Sequence, residues 1–231
     1  MNIALIGYGA MGKLIRTLAE EKGHQMAAVI DEKATGLSPA ELAEKLSGVD
    51  VAIDFTTAEA VRRNIGAAIA AGVPLVEGTT GWNAERDEIE KLVRDANGAV
   101  VFGANFSIGV NLFYRVADVA AEMFAKFPEY ETFIEEQHHS RKKDAPSGTA
   151  LKLKDLLSRH IDKEIGVSAT RAGNIPGTHR VGFDGPFDQI LLEHTARSRE
   201  GFAAGALMAA GWIIGKEGFY EFTDVIDEVC R

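Results

Sequence analysis

Residues Glu136 to Ala150 read E-Q-H-H-S-R-K-K-D-A-P-S-G-T-A. His138 and His139 come first, and neutral histidine can give or accept a proton near pH 7. Lys142 stands four residues after His138. Its charge suits a carboxylate, or negative charge developing in a transition state. Arg141 and Lys143 enlarge the positive cluster and Asp144 partly offsets it. Ser147 suits an N-cap, Pro146 restricts the entry, and Gly148 leaves backbone N–H groups uncovered. The start of a helix expected near Ala150 is therefore an anion site. A proton donor, a cation and a helix N-terminus together predict a pocket for a small di-acid with an acid catalyst beside it. The competing reading is a solvated basic loop. A metal site on His138 and His139 is not expected, because adjacent strand residues face opposite sides and no cysteine lies nearby. No G-x-S-x-G elbow surrounds Ser147, which argues against a serine nucleophile.

A second site is written at the N-terminus. Gly7-Tyr8-Gly9-Ala10-Met11-Gly12 fits G-x-G-x-x-G, after an expected strand and at the start of an expected helix. Gly7 allows a tight turn, Gly9 lets backbone approach a pyrophosphate, and Gly12 lets helix and strand pack closely. The helix N-terminus adds free N–H groups and partial positive charge. Asp31 ends the second expected strand, where a ribose-binding acid belongs. It favours NAD, Glu32 would repel a 2′-phosphate, and Lys33 could offset that, so NADH and NADPH both stay open. Gly78-Thr79-Thr80-Gly81 and Gly103-Ala104-Asn105-Phe106-Ser107 follow the fourth and fifth strands, beyond the carboxyl ends where ligands bind in such sheets. An ordinary glycine-threonine turn explains them equally well.

These residues need a scaffold. Short apolar runs at Asn2–Ile6, Met26–Ile30, Val51–Phe55, Val73–Val76 and Ala99–Gly103 alternate with helical stretches. That alternation predicts βαβ units and a parallel sheet. Ile108 to Lys126 is a long helix with Val110, Phe113, Val116, Val119, Ala120 and Met123 as one apolar stripe. Tyr130 to Gln137 is rich in β-formers, Leu151 to Ile161 is amphipathic, and residues 167–199 read as two or three strands in a largely antiparallel sheet. A small-residue helix over Gly201 to Ile214 and a short terminal helix follow. The expected fold is α/β, with residues 1–107 and 200–231 as a dinucleotide-binding domain and residues 108–199 as an α+β domain.

The chain has 231 residues and a formal net charge of −9, which argues against broad nucleic-acid binding. A local basic cluster can still hold a small anion. No apolar run reaches the ~18 residues of a membrane span. The N-terminus reads as a strand and not as a signal peptide, and the lone Cys230 cannot form an internal disulfide. A cytoplasmic protein is expected.

The E-x-H-H-x-x-K-x-D-A-P-S-G-T-A stretch resembles the signature of the dihydrodipicolinate reductase family, now called 4-hydroxy-tetrahydrodipicolinate reductase. The resemblance extends to the N-terminal glycine motif, Gly78 to Gly81, Ala104 to Ser107 and the closing G-F-Y-E-F-T-D-V-I. It implies NADH- or NADPH-dependent reduction of a cyclic dicarboxylate to tetrahydrodipicolinate in diaminopimelate and lysine biosynthesis, without a metal. It implies His138 as the acid, with Lys142 assisting it and contacting substrate. His139, Gly148 and Thr149 would contact substrate carboxylates, beside the Ser147 cap. Gly7 to Gly12, Asp31, Gly78 to Thr80 and Gly103 to Phe106 would contact the cofactor. The fold implied is a Rossmann-type domain from both chain ends, with a central domain that binds substrate and builds a homotetramer. The chain departs from the family in its brief linker from Asp31 to Val51 and in Glu32, where a basic residue is frequent. The alternatives are another nicotinamide oxidoreductase, or a non-catalytic dinucleotide sensor, which would not need His138 and Lys142.

Overall fold

The computed structural model describes residues 1–31 and 36–231, so the expectations for Glu32 and Lys33 lie outside the described residues. The short apolar runs become β1 (Asn2–Ile6), β2 (Gln25–Ile30), β3 (Val51–Asp54), β4 (Leu75–Glu77) and β5 (Ala99–Phe102). A strand covered on both faces has no reason to alternate polar with apolar, and β3 and β4 are buried throughout. The covering helices are α1 (Ala10–Glu21), α2 (Pro39–Leu46), α3 (Ala58–Ala71) and α4 (Arg86–Asp95).

α2 falls in a segment that reads as a linker. Its signal is the S-P-A-E string. Ser38 Oγ accepts from Glu41 N, the Glu41 side chain accepts from Ser38 N, and Pro39 opens the first turn.

The second part of the chain begins with α5 (Ile108–Phe124), then β6 (Glu131–His138), α6 (Gly148–Leu157), β7 (Gly166–Arg171), β8 (Thr178–Asp184) and β9 (Gln189–Thr195). α7 (Glu200–Ile213), β10 (Gly218–Glu221) and α8 (Phe222–Val229) complete it. The chain forms two compact units, Met1–Ile108 with Arg199–Arg231, and Gly109–Ser198.

The first unit holds a six-stranded, fully parallel sheet ordered β10-β5-β4-β3-β1-β2. β10 pairs with β5 and supplies a sixth strand that was not expected. One apolar core joins Ile3, Leu5, Ile53 and Val76 to α7 and α8. The other joins Ala4, Ala52 and Leu75 to α2, α3 and α4. Strand order reverses between β1 and β3, and clefts open at such a switch point.

The second unit holds a four-stranded sheet ordered β7-β6-β8-β9. It is largely antiparallel as expected, through β6–β8 and β8–β9, but mixed, because β7 pairs parallel to β6. The connection through α6 brings the chain back to run the same way. α5 also differs from expectation. It buries Val110, Phe113, Tyr114, Ala117 and Ala121, while Val116, Val119 and Met123 are more than half exposed. The expected stripe merges two apolar faces with the same helical spacing. Arg199 is the N-cap residue of α7.

α7 packs closely enough to exclude one methyl group. A Cβ at Gly205 would lie 1.7 Å from the Phe106 carbonyl oxygen, whereas one at Gly211 meets only Met1 Sδ at 3.9 Å. We expect Gly205→Ala to lose about 1–3 kcal/mol through overpacking. Gly211→Ala should gain about 0.5–1 kcal/mol from helix propensity. Urea unfolding of the two variants checks the contrast, and equal midpoints would refute the packing argument.

Candidate active site and nucleotide cleft

On β6, Ile134, Glu136 and His138 alternate onto one face, and all three are buried. A strand with one covered face hides every second residue. Here two of those positions carry ionisable groups. Cross-strand pairing supplies the neighbours, since His179 on β8 is the register partner of Glu136 and Arg171 on β7 is the partner of His138.

Glu136 is fully buried and sits at the centre. Its Oε1 accepts from Ser147 N at 2.8 Å and from Arg171 Nη2 at 2.7 Å. Its Oε2 lies 3.2 Å from His138 Nδ1 and 3.5 Å from His179 Nε2. Burial pushes the Glu136 carboxyl up, but the bonds from Ser147 and Arg171 outweigh it and hold the group below its ordinary value. Burial lowers His138, aided by Lys142 and Arg171, while Glu136 and Asp144 oppose the shift. Burial takes His179 down to about 4. The two imidazoles meet edge to face at 5.0 Å, and His179 Nε2 also lies 3.1 Å from Ser147 Oγ.

Ser147 caps α6 as expected, its Oγ accepting from Ala150 N at 3.2 Å, and the helix begins at Gly148. Gly148 is exposed and Thr149 half-buried beside this N-terminus, and Thr149 bonds the buried Tyr114 hydroxyl. Lys142 pairs with Asp144 at 2.9 Å and is partly exposed. Arg171 Nη2 donates to the Asp144 carbonyl at 2.6 Å, which ties β7 to the same loop. His139 is half-buried just after β6, and its Nδ1 meets no donor or acceptor among the described residues. Among the described residues, those that could gather a metal are Glu136, His138 and His179, whose ligand atoms lie within 4.8 Å of one another.

The first unit holds a cavity of about 350 Å³ lined by Gly9, Ala10, Met11, Phe55, Thr56, Thr57, Ala58, Gly78, Thr79 and Thr80. It lies beyond the carboxyl ends of β1, β3 and β4, at the switch point. Gly7 has φ +91°, and a Cβ there would lie 2.3 Å from the Phe55 carbonyl oxygen. A Cβ at Gly12 would lie 2.1 Å from the Gly7 carbonyl oxygen, so Gly12 protects the turn itself and not a helix–strand contact. A Cβ at Gly9 meets nothing within 4 Å. Gly9 is also the N-cap of α1, which has no side-chain cap. Open space over an uncapped helix N-terminus fits a pyrophosphate.

Tyr8, Asp31, Gly103, Ala104, Asn105 and Phe106 do not line this cavity. Tyr8 accepts from Arg16 Nη1 at 3.2 Å. Asp31 is exposed just after β2. Asn105 Oδ1 accepts from Ser107 N at 2.8 Å, and Phe106 is a core residue against Phe55 and Phe222. Phe55, Thr56 and Thr57 line the cleft without having been singled out. The carboxyl-end rule applied to β3 would have found them.

Comparison with known proteins follows these lines. Residues 1–106 match the family model described as dihydrodipicolinate reductase, N-terminus, and residues 109–226 match that described as dihydrodipicolinate reductase, C-terminus. A 4-hydroxy-tetrahydrodipicolinate reductase of Christiangramia forsetii is 34% identical, with all of both chains covered. That of Methanosarcina barkeri is 36% identical over 98% of this chain and 99% of the relative. Among solved structures, the dipicolinate-bound dihydrodipicolinate reductase from Paenisporosarcina sp. TG-14 shares the fold at TM-score 0.80 and 23% identity. The match covers 96% of this chain and 97% of that one. A putative myo-inositol dehydrogenase from Sinorhizobium meliloti shares it at TM-score 0.61 and 14% identity, over 98% and 93%.

Removing one partner of a buried ion pair leaves the other charge stranded. We expect Arg171→Met to cost about 3–5 kcal/mol at neutral pH. The depressed Glu136 carboxyl stabilises the fold above its unfolded value, and that contribution is lost as pH falls through the lower folded value. The gap between wild type and variant should therefore narrow in acid. Urea unfolding across pH checks it, and a gap that does not change with pH would count against the ion pair.

Proposed function

The chain belongs to the dihydrodipicolinate reductase family, and we propose that it reduces 4-hydroxy-tetrahydrodipicolinate to tetrahydrodipicolinate with a nicotinamide cofactor, in diaminopimelate and lysine biosynthesis. The observation that carries this reading is the buried His138, held beside Glu136 and within the field of Lys142, in the unit that also presents the N-terminus of α6.

His138 is the acid. Its lowered proton affinity makes the imidazolium a ready donor to the carbon-centred negative charge that reduction leaves on the substrate. Lys142 and the α6 N-terminus at Gly148 and Thr149 receive the substrate carboxylates, with His139 as a further contact and Ser147 fixing the helix start. Glu136 orients His138 and is itself held by Arg171 and Ser147 N.

Residues Gly7 to Gly12, with Gly78, Thr79 and Thr80, hold the cofactor phosphates, Asp31 takes the ribose, and the loop Gly103 to Phe106 completes the site. When bound, the nicotinamide ring supplies the hydride. NADH and NADPH are both accepted, and the reaction uses no metal.

The protein works as a cytoplasmic homotetramer. The half-exposed Ile190 and Leu191 on β9, an edge strand, and the fully exposed Phe187 beside it support further copies along that edge. Among the described residues no helix is long and apolar enough to cross a membrane.

NADH and NADPH oxidation at 340 nm, with the condensation product of pyruvate and aspartate semialdehyde, tests the activity. We expect oxidation that depends on that product. Its absence, in folded protein that still binds NADH, would redirect the reading to another substrate or to a sensor. His138→Gln should lower turnover far more than cofactor affinity, and Lys142→Ala should lower turnover and raise the Michaelis constant. The acid form of His138 is lost as pH rises, so wild-type kcat/KM should fall with rising pH, with a midpoint below the ordinary histidine value. Gly9→Val, whose side chain would fill the open space over the helix N-terminus, should lose cofactor affinity measured by calorimetry in protein that stays folded. Intact affinity would remove Gly9 from the phosphate site.

A further inference from the structure

β3 and β4 end on two carboxyl groups in register. Asp54 and Glu77 are Cα partners on this parallel pair, and both side chains are fully buried. Alternation puts them on the face of Ala52 and Leu75, which is covered by α3. Neighbours on adjacent strands stand about 5 Å apart. Two carboxylates that close, out of water, do not both ionise.

Their outer oxygens hold the walls of the nucleotide cleft. Asp54 Oδ2 accepts from Asn64 Nδ2 at 2.6 Å, and the same amide donates to Thr56 Oγ1 at 3.2 Å. Glu77 Oε1 accepts from Thr79 N at 2.7 Å. Thr79 Oγ1 in turn accepts from Thr56 N at 3.0 Å, closing a ring of bonds between the two cleft-lining threonines. The remaining oxygens, Asp54 Oδ1 and Glu77 Oε2, are buried and meet no donor among the described residues. Neither can donate unless one carries a proton, and a single proton between them satisfies both.

The surroundings favour that proton. The register partners on the flanking strands are Ile6 for Asp54 and Phe102 for Glu77, both apolar. On α3 the charged neighbour is Arg63, whose guanidinium donates to Asn64 Oδ1 at 3.1 and 3.0 Å. Burial raises Asp54 against the pull of Asn64, Thr56, Glu77 and Arg63. Burial and then the facing Asp54 raise Glu77 well above its ordinary value.

We propose that Asp54 and Glu77 share one proton, and that this carboxyl pair is a positioning element that keeps Thr56 and Thr79 in cofactor-binding geometry only while the proton is held. The second half rests on the reading of this cleft as the nicotinamide cofactor site. Loss of the proton sets two negative charges side by side without water. They separate, and Thr79 N and the Asn64–Thr56 bond move with them. A carboxyl raised on folding contributes stability below its folded titration, and that contribution is lost as pH rises through it. Cofactor affinity linked to the same proton falls above that titration, once the folded protein gives the proton up.

The test compares wild type with Glu77→Gln. The amide still accepts from Thr79 N and donates to Asp54, but has no proton to lose. Thermal midpoints of the cofactor-free protein, and calorimetric Kd values for NADH and NADPH, are measured from pH 6 to pH 10 on the folded full chain. We expect the wild-type midpoint to drop relative to Glu77→Gln as pH rises. Its Kd should weaken by up to about tenfold per pH unit above the titration, while the variant stays flat. Parallel midpoints would overturn the shared proton. Diverging midpoints with parallel affinities would overturn the link to the cleft. Diverging midpoints with no binding of either cofactor at any pH would leave the shared proton standing and overturn the cofactor reading. Asp54→Asn, which donates to Glu77 in the same way, gives the same comparison if Glu77→Gln does not fold.

Discussion

A carboxylate without water is the constraint on which the second unit depends. Glu136 is fully buried, and an ion in that position persists only if its oxygens are met by donors and positive charge. Those partners come from separate elements. Arg171 requires β7 beside β6, Ser147 N requires the start of α6 to return over the sheet, and His179 requires the antiparallel register of β8. The mixed sheet follows from this set, because a parallel β7 ends on Arg171 beside His138, where a β7 running the other way would begin there. The same carboxylate that fixes the sheet therefore fixes His138.

The first unit reaches its site by another route. Its cleft is built mainly from backbone and small side chains at the carboxyl ends of β1, β3 and β4. Strand order sets the place, since the sheet reverses direction between β1 and β3. Gly7 and Gly12 keep the turn sharp, since a Cβ there would collide with the Phe55 or the Gly7 carbonyl oxygen. Gly9 serves what lies outside it. The three glycines of one motif thus answer to two constraints, one internal and one external.

Features carried by consecutive residues were legible without coordinates. The glycine turn, the Ser147 cap and the βαβ alternation each depend on neighbours within a few positions, and each stands where expected. Features that depend on register were not legible. His179 lies in a strand that reads simply as T-H-R-V-G-F-D, and only its pairing opposite Glu136 gives it a role. Arg171 and the Asp54–Glu77 pair are hidden for the same reason, because single-sequence patterns do not say which strand lies beside which. α2 was the avoidable omission, since Ser38, Pro39 and Glu41 spell a helix start. β10 is four residues long and gains its identity only from β5. On α5, two apolar faces share one spacing, and periodicity does not say which of them the fold covers.

The two units solve one problem in opposite ways. Each buries carboxyl groups at the end of a strand, next to residues that line a candidate site. Around Glu136 the neighbours are a guanidinium, a backbone N–H and two imidazoles, so the charged form is the stable one. Around Asp54 and Glu77 the nearest charge is another carboxyl, and Ile6 and Phe102 flank them, so a protonated form is the stable one. Residue type does not decide between these outcomes, since a glutamate takes part in both. The deciding term is what the neighbouring strand brings beside the carboxyl, the Arg171 guanidinium of β7 for Glu136 and the Asp54 carboxyl of β3 for Glu77. Sheet topology therefore sets the ionisation state of both sites, and with it the chemistry that each can support.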